Sequence, residues 1–190
     1  MPDEPKKRAQ RLKAALSFLD ESGFTQRPPI RATWAPKGRT PLVREPFTWQ
    51  HLSGIGAVLT TPTGRRPRWF LAFHPGAIRG PHVVRFLTAW RRHVRGRVIL
   101  LWDRLPAHRS QLVAQALVRH RRWLRVEWLP AYAPELNPLE YLWGHLDATA
   151  LANTPADDLR RLRRQVRIGL QRVRRQPHVG RGFLKHTGLF

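Results

Sequence analysis

Val98-Ile-Leu-Leu-Trp-Asp103 and Leu129-Pro-Ala-Tyr-Ala-Pro-Glu-Leu-Asn-Pro-Leu-Glu140 are the two stretches on which the fold turns. The first is an unbroken apolar run, suited to a strand at the centre of a sheet, and it stops on an aspartate. The second turns through prolines and opens a helix that carries a glutamate, with Leu139, Leu142, Trp143 and Leu146 along one side. Between them, Ser110 is placed to cap a helix with Leu112, Val113, Ala116 and Leu117 on its apolar face, and Trp123-Leu-Arg-Val-Glu-Trp-Leu129 reads as another strand.

Working outward, the spacing of Leu159, Leu162, Val166, Leu170 and Val173 predicts a last helix from about Pro155, with eight arginines between Arg160 and Arg175 on its remaining surface. Residues 178–190 read as loop or a short helix. Upstream, Pro81 opens a helix with Val83, Phe86, Leu87, Trp90 and Val94 at helical spacing. Residues 51–60 and 67–74 form a hairpin about Thr61-Pro-Thr-Gly64. Residues 24–48, rich in proline, predict an irregular excursion. Residues 14–20 read as a short strand that ends in a turn at Asp20, and residues 1–13 as an exposed basic leader. Strand, hairpin, helix, strand, helix, strand, helix is the order of an α/β layer built on a mixed sheet. Sites in such sheets form at strand ends.

The 190 residues suit one domain with room for a small appendage, and 42% hydrophobic content with eight tryptophans excludes a disordered basic tail. A net charge of +23 favours a polyanionic partner, nucleic acid before an anionic membrane surface. No transmembrane run, signal peptide or lipidation motif is visible, and a cytoplasmic location is expected. The absence of cysteine removes disulfides and thiolate zinc sites. Arginine outnumbers lysine 30 to 5, a bias that GC-rich coding would equally produce.

With 12 acids against 35 lysines and arginines, a carboxylate at the end of an apolar strand needs a reason. Asp20 and Asp103 share that design. Divalent metal ions neutralise such groups, and Mg²⁺ prefers hard oxygen ligands. Each acid also has a plain structural reading. Asp20 and Asp103 would each bond turn amides or cap the next element, and Asp103 would also pair with Arg104 or Arg109. Glu140, three residues after Asn137, would reach back to the cap amide in a capping box. Glu135 would be a solvated loop acid. His108 would touch phosphate, orient a ligand, or support its turn. No His-Glu-x-x-His pattern and no glycine-rich phosphate loop occurs, and His93 and His120 read as structural.

The stretch from Leu129 to Trp143 closely resembles the signature of mariner-superfamily transposases, the insertion sequence 630 family in particular. Phe18-Leu-Asp-Glu-Ser-Gly-Phe24 is similar to that family's first acidic motif, Trp34-Ala-Pro-Lys-Gly38 to its next landmark, and Trp102-Asp-Arg-Leu-Pro-Ala-His-Arg-Ser110 to its second acidic motif. The order agrees over about residues 16–190. The resemblance implies a ribonuclease-H-like mixed sheet flanked by helices and a catalytic triad of Asp20, Asp103 and Glu140. These would hold Mg²⁺ or Mn²⁺, two ions in all. It implies a basic segment over 1–15, a catalytic domain over 16–152 and an arginine-rich helical extension over 153–190. The implied reaction is DNA cleavage at transposon ends, after which the freed 3′-hydroxyl attacks target DNA. Double-stranded DNA would be gripped by Arg104, His108, Arg109, Arg160, Arg163, Arg164 and Arg167, with a homo-oligomer assembled on it. The second motif departs from the family's usual Asp-Asn, since Arg104 follows Asp103. The chain also starts about twenty residues before Asp20, without room for the family's helix-turn-helix modules. A separately encoded helix-turn-helix portion is therefore expected as partner. The alternatives are an inactive or truncated remnant that binds DNA and a nuclease without strand transfer.

Overall fold

The apolar run after Arg97 forms β4 (Val98–Trp102), buried at every position. In the computed structural model, which describes residues 4–43 and 50–190, β4 pairs in parallel with β1 (Ala15–Thr25) on one side and with β5 (Leu124–Trp128) on the other. β1 pairs antiparallel with β2 (His51–Thr60), and β2 antiparallel with β3 (Arg68–Pro75). The sheet order is therefore β3-β2-β1-β4-β5, mixed, with β1 central. Parallel neighbours need a crossover, and α3 (Gln111–His120) supplies it between β4 and β5.

Alternation along the strands sends neighbouring residues to opposite faces. Leu19, Ile55, Leu100 and Trp102 pack beneath α2 (Gly80–Arg91) and α3. Phe18, Val58 and Leu101 pack beneath α4 (Pro138–Leu146), α5 (Leu159–Arg175) and α6 (Pro177–His186). Leu139, Leu142 and Leu146 of α4 are fully buried, each contributing about 1.5–3 kcal/mol by leaving water. Leu162, Val166, Leu170 and Val173 form the buried stripe of α5, as their spacing predicts. The Asp158 side chain caps this helix, accepting from the Arg161 amide at 2.7 Å. Close approach of α5 to α4 rests on Gly169, where a Cβ would lie 2.6 Å from Leu146 and 2.7 Å from Ala150.

Several local expectations change. β1 does not stop at Asp20 but runs on to Thr25, because β2 offers a partner along its whole length, out to His51. The basic leader is not simply exposed. Residues Glu4–Arg11 form α1, which buries Ala9 against Ala14, Leu16 and Ile99. Of the two readings of residues 178–190, the short helix holds, since most of α6 lies there. Leu112 is exposed, so the buried stripe of α3 is narrower than expected, and the Ser110 hydroxyl makes no cap bond. Residues 34–38 are irregular and exposed. Positions 44–48 of the expected excursion lie outside the described residues, as do residues 1–3 of the leader. Among the described residues no helix is long and apolar enough to cross a membrane.

Candidate active site

β1 and β4 stay paired only over Ala15–Phe18 against Val98–Leu101. Beyond this point the strands part, and the proline-rich turn before α4 fills the gap. Asn137 joins the two parts. Its Nδ2 donates to the Leu19 carbonyl at 3.3 Å, and its Oδ1 accepts from the Leu139 amide at 3.1 Å, capping α4. The Asn137 amide is itself taken by the Pro134 carbonyl at 2.8 Å. No cap amide is therefore left for Glu140, and the capping-box reading fails. Glu140 instead lines a cleft of about 370 Å³ with Asp20, Asp103, Arg104, Asn137 and Tyr132.

Asp20 is 6% exposed and stands mid-strand, so it bonds no turn. Its register partner on β2 is Gly56, where a Cβ would lie 2.9 Å from the Trp143 ring. The missing side chain lets the indole lie against β2 and donate Nε1–H to Asp20 Oδ2 at 2.9 Å. Burial, and then the charge of Glu140, push the Asp20 carboxyl up to about 8, with the indole bond opposing them. Glu140, although exposed to solvent on α4, is also raised, first by burial and then by the charge of Asp103. Glu140 thus stands close enough to Asp20, and Asp103 close enough to Glu140, for one charge to oppose the next ionisation.

Asp103 follows the end of β4, and its charged partner is neither Arg104 nor Arg109. Its Oδ1 lies 2.5 Å from Nδ1 of His108, at ion-pair distance but without hydrogen-bond alignment. His108 is 2% exposed, which corrects the expectation that it touches phosphate. Its ring stacks on Trp102 with centroids 4.1 Å apart, and its Nε2 lies 2.8 Å from Glu21 Oε2. Burial works against a charge on the ring, but the carboxylates of Asp103 and Glu21 outweigh it and push His108 up to about 9. Sequence reasoning did not single out Glu21 or the indole donor Trp143. Glu21 gave no signal of its own, because its segment read as a turn; only the pairing of β1 with β2 puts it on a strand, where it points to the face opposite Asp20.

The remaining sequence-predicted residues fall in three places. Arg104 is exposed on the cleft wall. Arg109 is exposed at the end of the 3₁₀ turn Pro106–Arg109 and does not line the cleft. Arg160, Arg163, Arg164 and Arg167 line a separate open groove of about 520 Å³ along α5. Glu135, on the 3₁₀ turn Pro134–Leu136, is exposed and does not line the cleft.

Three of the chain's 12 acids, Asp20, Asp103 and Glu140, thus line one cleft, and a fourth, Glu21, stands behind it against His108. Among the described residues, no three His, Asp or Glu side chains as they stand close into a cage for an ion. The donor set nevertheless suits one. It offers hard oxygens whose mutual repulsion a divalent cation would relieve, with open room for the water and phosphate that complete a Mg²⁺ shell.

A mixed sheet of order 3-2-1-4-5, with an acid-lined cleft where its central parallel strands part, defines the ribonuclease-H-like class. The chain belongs to the DDE superfamily endonucleases, whose family model matches residues 15–163. Its fold is similar to that of the Mos1 mariner paired end complex with Mn, at 20% identity and a TM-score of 0.63 over 97% of this chain and 56% of that one. A pre-cleavage Mos1 transpososome is similar at 17% identity and a TM-score of 0.56, over 98% of this chain and 61% of that one. The simian T-cell lymphotropic virus intasome in complex with PP2A regulatory subunit B56 gamma matches at 14% identity and 0.51, over 83% and 47%. The chain therefore spans little more than half the length of the first of these. No curated protein sequence matches it significantly.

Proposed function

We propose that this chain is the catalytic domain of a transposase of the insertion sequence 630 kind, cleaving DNA at transposon ends and joining the freed ends to target DNA. The observation that carries the reading is the meeting of Asp20, Asp103 and Glu140 in one cleft, from β1, the end of β4 and the first turn of α4. The three are far apart in sequence and share no structural task there. Asp20 and Asp103 would share metal ions, and Glu140 would hold the second. Bound Mg²⁺ or Mn²⁺ supplies activation of the attacking oxygen and stabilisation of the leaving one.

The rest of the work belongs to the chain's own side chains. Burial and the Trp143 bond fix Asp20 in one orientation, so little reorganisation is needed when substrate arrives. Arg104 offers a guanidinium at the cleft rim, where it would pair with a phosphate flanking the scissile bond. The arginines of α5 would grip the duplex backbone without reading its sequence. Metal-free carboxylates repel phosphate, so DNA would bind the basic surface first and enter the cleft only with cations present. Double-stranded transposon ends and target are the proposed substrates. A homo-oligomer and a separately encoded helix-turn-helix portion are the proposed partners, acting in the cytoplasm.

The test uses duplex DNA bearing the element's ends, in Mn²⁺ or Mg²⁺. Asp103→Ala is expected to abolish cleavage while thermal stability and DNA affinity persist. Normal cutting by this variant would overturn the assignment. Supplying pre-cleaved ends asks separately for strand transfer, and cleavage without it would leave a nuclease.

A further inference from the structure

Of the three cleft carboxylates, Asp103 alone stands on no regular element. Asp20 is locked in β1 and Glu140 is carried by α4, whereas Asp103 begins the loop after β4. Within its own loop only the Leu105 amide reaches it, donating to Oδ1 at 3.4 Å; the closer hold comes from behind the sheet. Glu21, next to Asp20 but on the opposite face of β1, reaches His108, and His108 reaches Asp103. The imidazole is clamped on three sides, by Glu21 Oε2 at 2.8 Å, by Asp103 Oδ1 at 2.5 Å and by the Trp102 ring at 4.1 Å.

This arrangement is expensive as architecture alone. A histidine 2% exposed is placed between two acids, and Glu21 Oε1 is buried without a hydrogen-bond partner among the described residues. Apolar side chains of similar size would fill the same space at lower cost. The chain uses a carboxylate–imidazole–carboxylate line there, and the line ends on the one cleft carboxylate that stands on no helix or strand.

We propose that Glu21 and His108 are positioning residues for the metal site, a relay through the sheet that fixes the orientation of the Asp103 carboxylate. Glu21 orients the ring, and the ring holds Oδ1 of Asp103, leaving Oδ2 for the cleft. Outer partners of this kind set the geometry and affinity of metal ligands in general. The proposal rests on the metal-dependent reading of the cleft, and the experiment separates the two.

Mn²⁺ binding is titrated by electron paramagnetic resonance on the full chain without DNA, for the wild type, Glu21→Gln, His108→Asn and the double variant, with Asp103→Asn as control. His108→Asn is expected to weaken Mn²⁺ binding roughly 10- to 100-fold, and Glu21→Gln by less. Glu21→Gln should have no further effect once His108 is replaced, because it acts only through the ring. Thermal melts identify any variant that fails to fold. Glu21→Gln, which keeps the side-chain shape, gives the second measurement, the ¹⁵N signals of the His108 ring, which should shift when the carboxylate is lost. Wild-type affinity in both single variants would overturn the relay alone, as would independent effects that simply add. Failure of the wild type to bind Mn²⁺ would remove the metal reading and the relay together.

Discussion

Asp20 is where the physical cost of the site is most concentrated. Its carboxyl has an ordinary value of 3.8 and is pushed up to about 8. The folded state therefore holds a proton that the unfolded chain gives up readily. The stability this provides is fully present below about pH 4 and is lost as pH rises through 8. His108, lifted from 6.5 to about 9, acts in the same direction, its contribution intact below 6.5 and lost as pH rises through 9. In chelator, the melting temperature should accordingly fall between pH 6 and pH 9. Asp20→Asn, which cannot ionise, should melt higher than the wild type at pH 9 and show a shallower fall. Equal pH slopes for the two proteins, measured by calorimetry, would contradict this account of the buried carboxyl. Saturating Mn²⁺ should raise the wild type at pH 8–9 more than the Asn variant, because it replaces the missing proton.

At the scale of elements, the contact of α4 with α5 carries the extension onto the sheet. Gly169 lets the two helices meet, and Leu146 and Ala150 occupy the space a side chain would need. Gly169→Val is expected to cost about 1–3 kcal/mol by forcing the helices apart. Arg167→Gln, on the exposed side of the same helix, should stay within about 0.5 kcal/mol. Urea denaturation of both variants checks the contrast. The stripe of α5 was legible in the sequence because its apolar positions keep strict helical spacing. The interior strand β4, the hairpin and the cap Asn137 were legible for similarly local reasons. The far half of β1 was not, since Asp20-Glu-Ser-Gly23 is turn-like in composition and only pairing with β2 makes it a strand. α1 was hidden by its charge, with Ala9 its one buried side chain among the described residues. At the site, the candidate carboxylates could be picked from motifs, but the Glu21–His108 contact joins residues 87 apart, and no local pattern encodes such a pair.

For the whole molecule, the dominant fact is the separation of charge. The chain carries an excess of 23 positive charges, while three of its 12 acids line one cleft. Affinity for DNA should come mainly from counterion release, and should fall steeply with salt. Replacing Arg160, Arg163, Arg164 and Arg167 together by glutamine should reduce the slope of log affinity against log salt by roughly 0.9 for each arginine that reaches a phosphate. Fluorescence anisotropy on a duplex at several salt concentrations measures it. An unchanged slope would show that α5 only covers the sheet.

The indole bond to Asp20 joins residues 123 positions apart, and that distance sets a timetable. The meander of β1, β2 and β3 can close on its own, but the open edge of β1 waits for β4, and the cleft waits for the turn before α4. Long-range contacts of this sort form late. During synthesis, then, the cleft closes only after all five strands of the sheet have been made. On the proposed function, a ribosome that stalls before Glu140 would release a fragment with the sheet's strands but without its third carboxylate, and so without the means to damage the DNA around it.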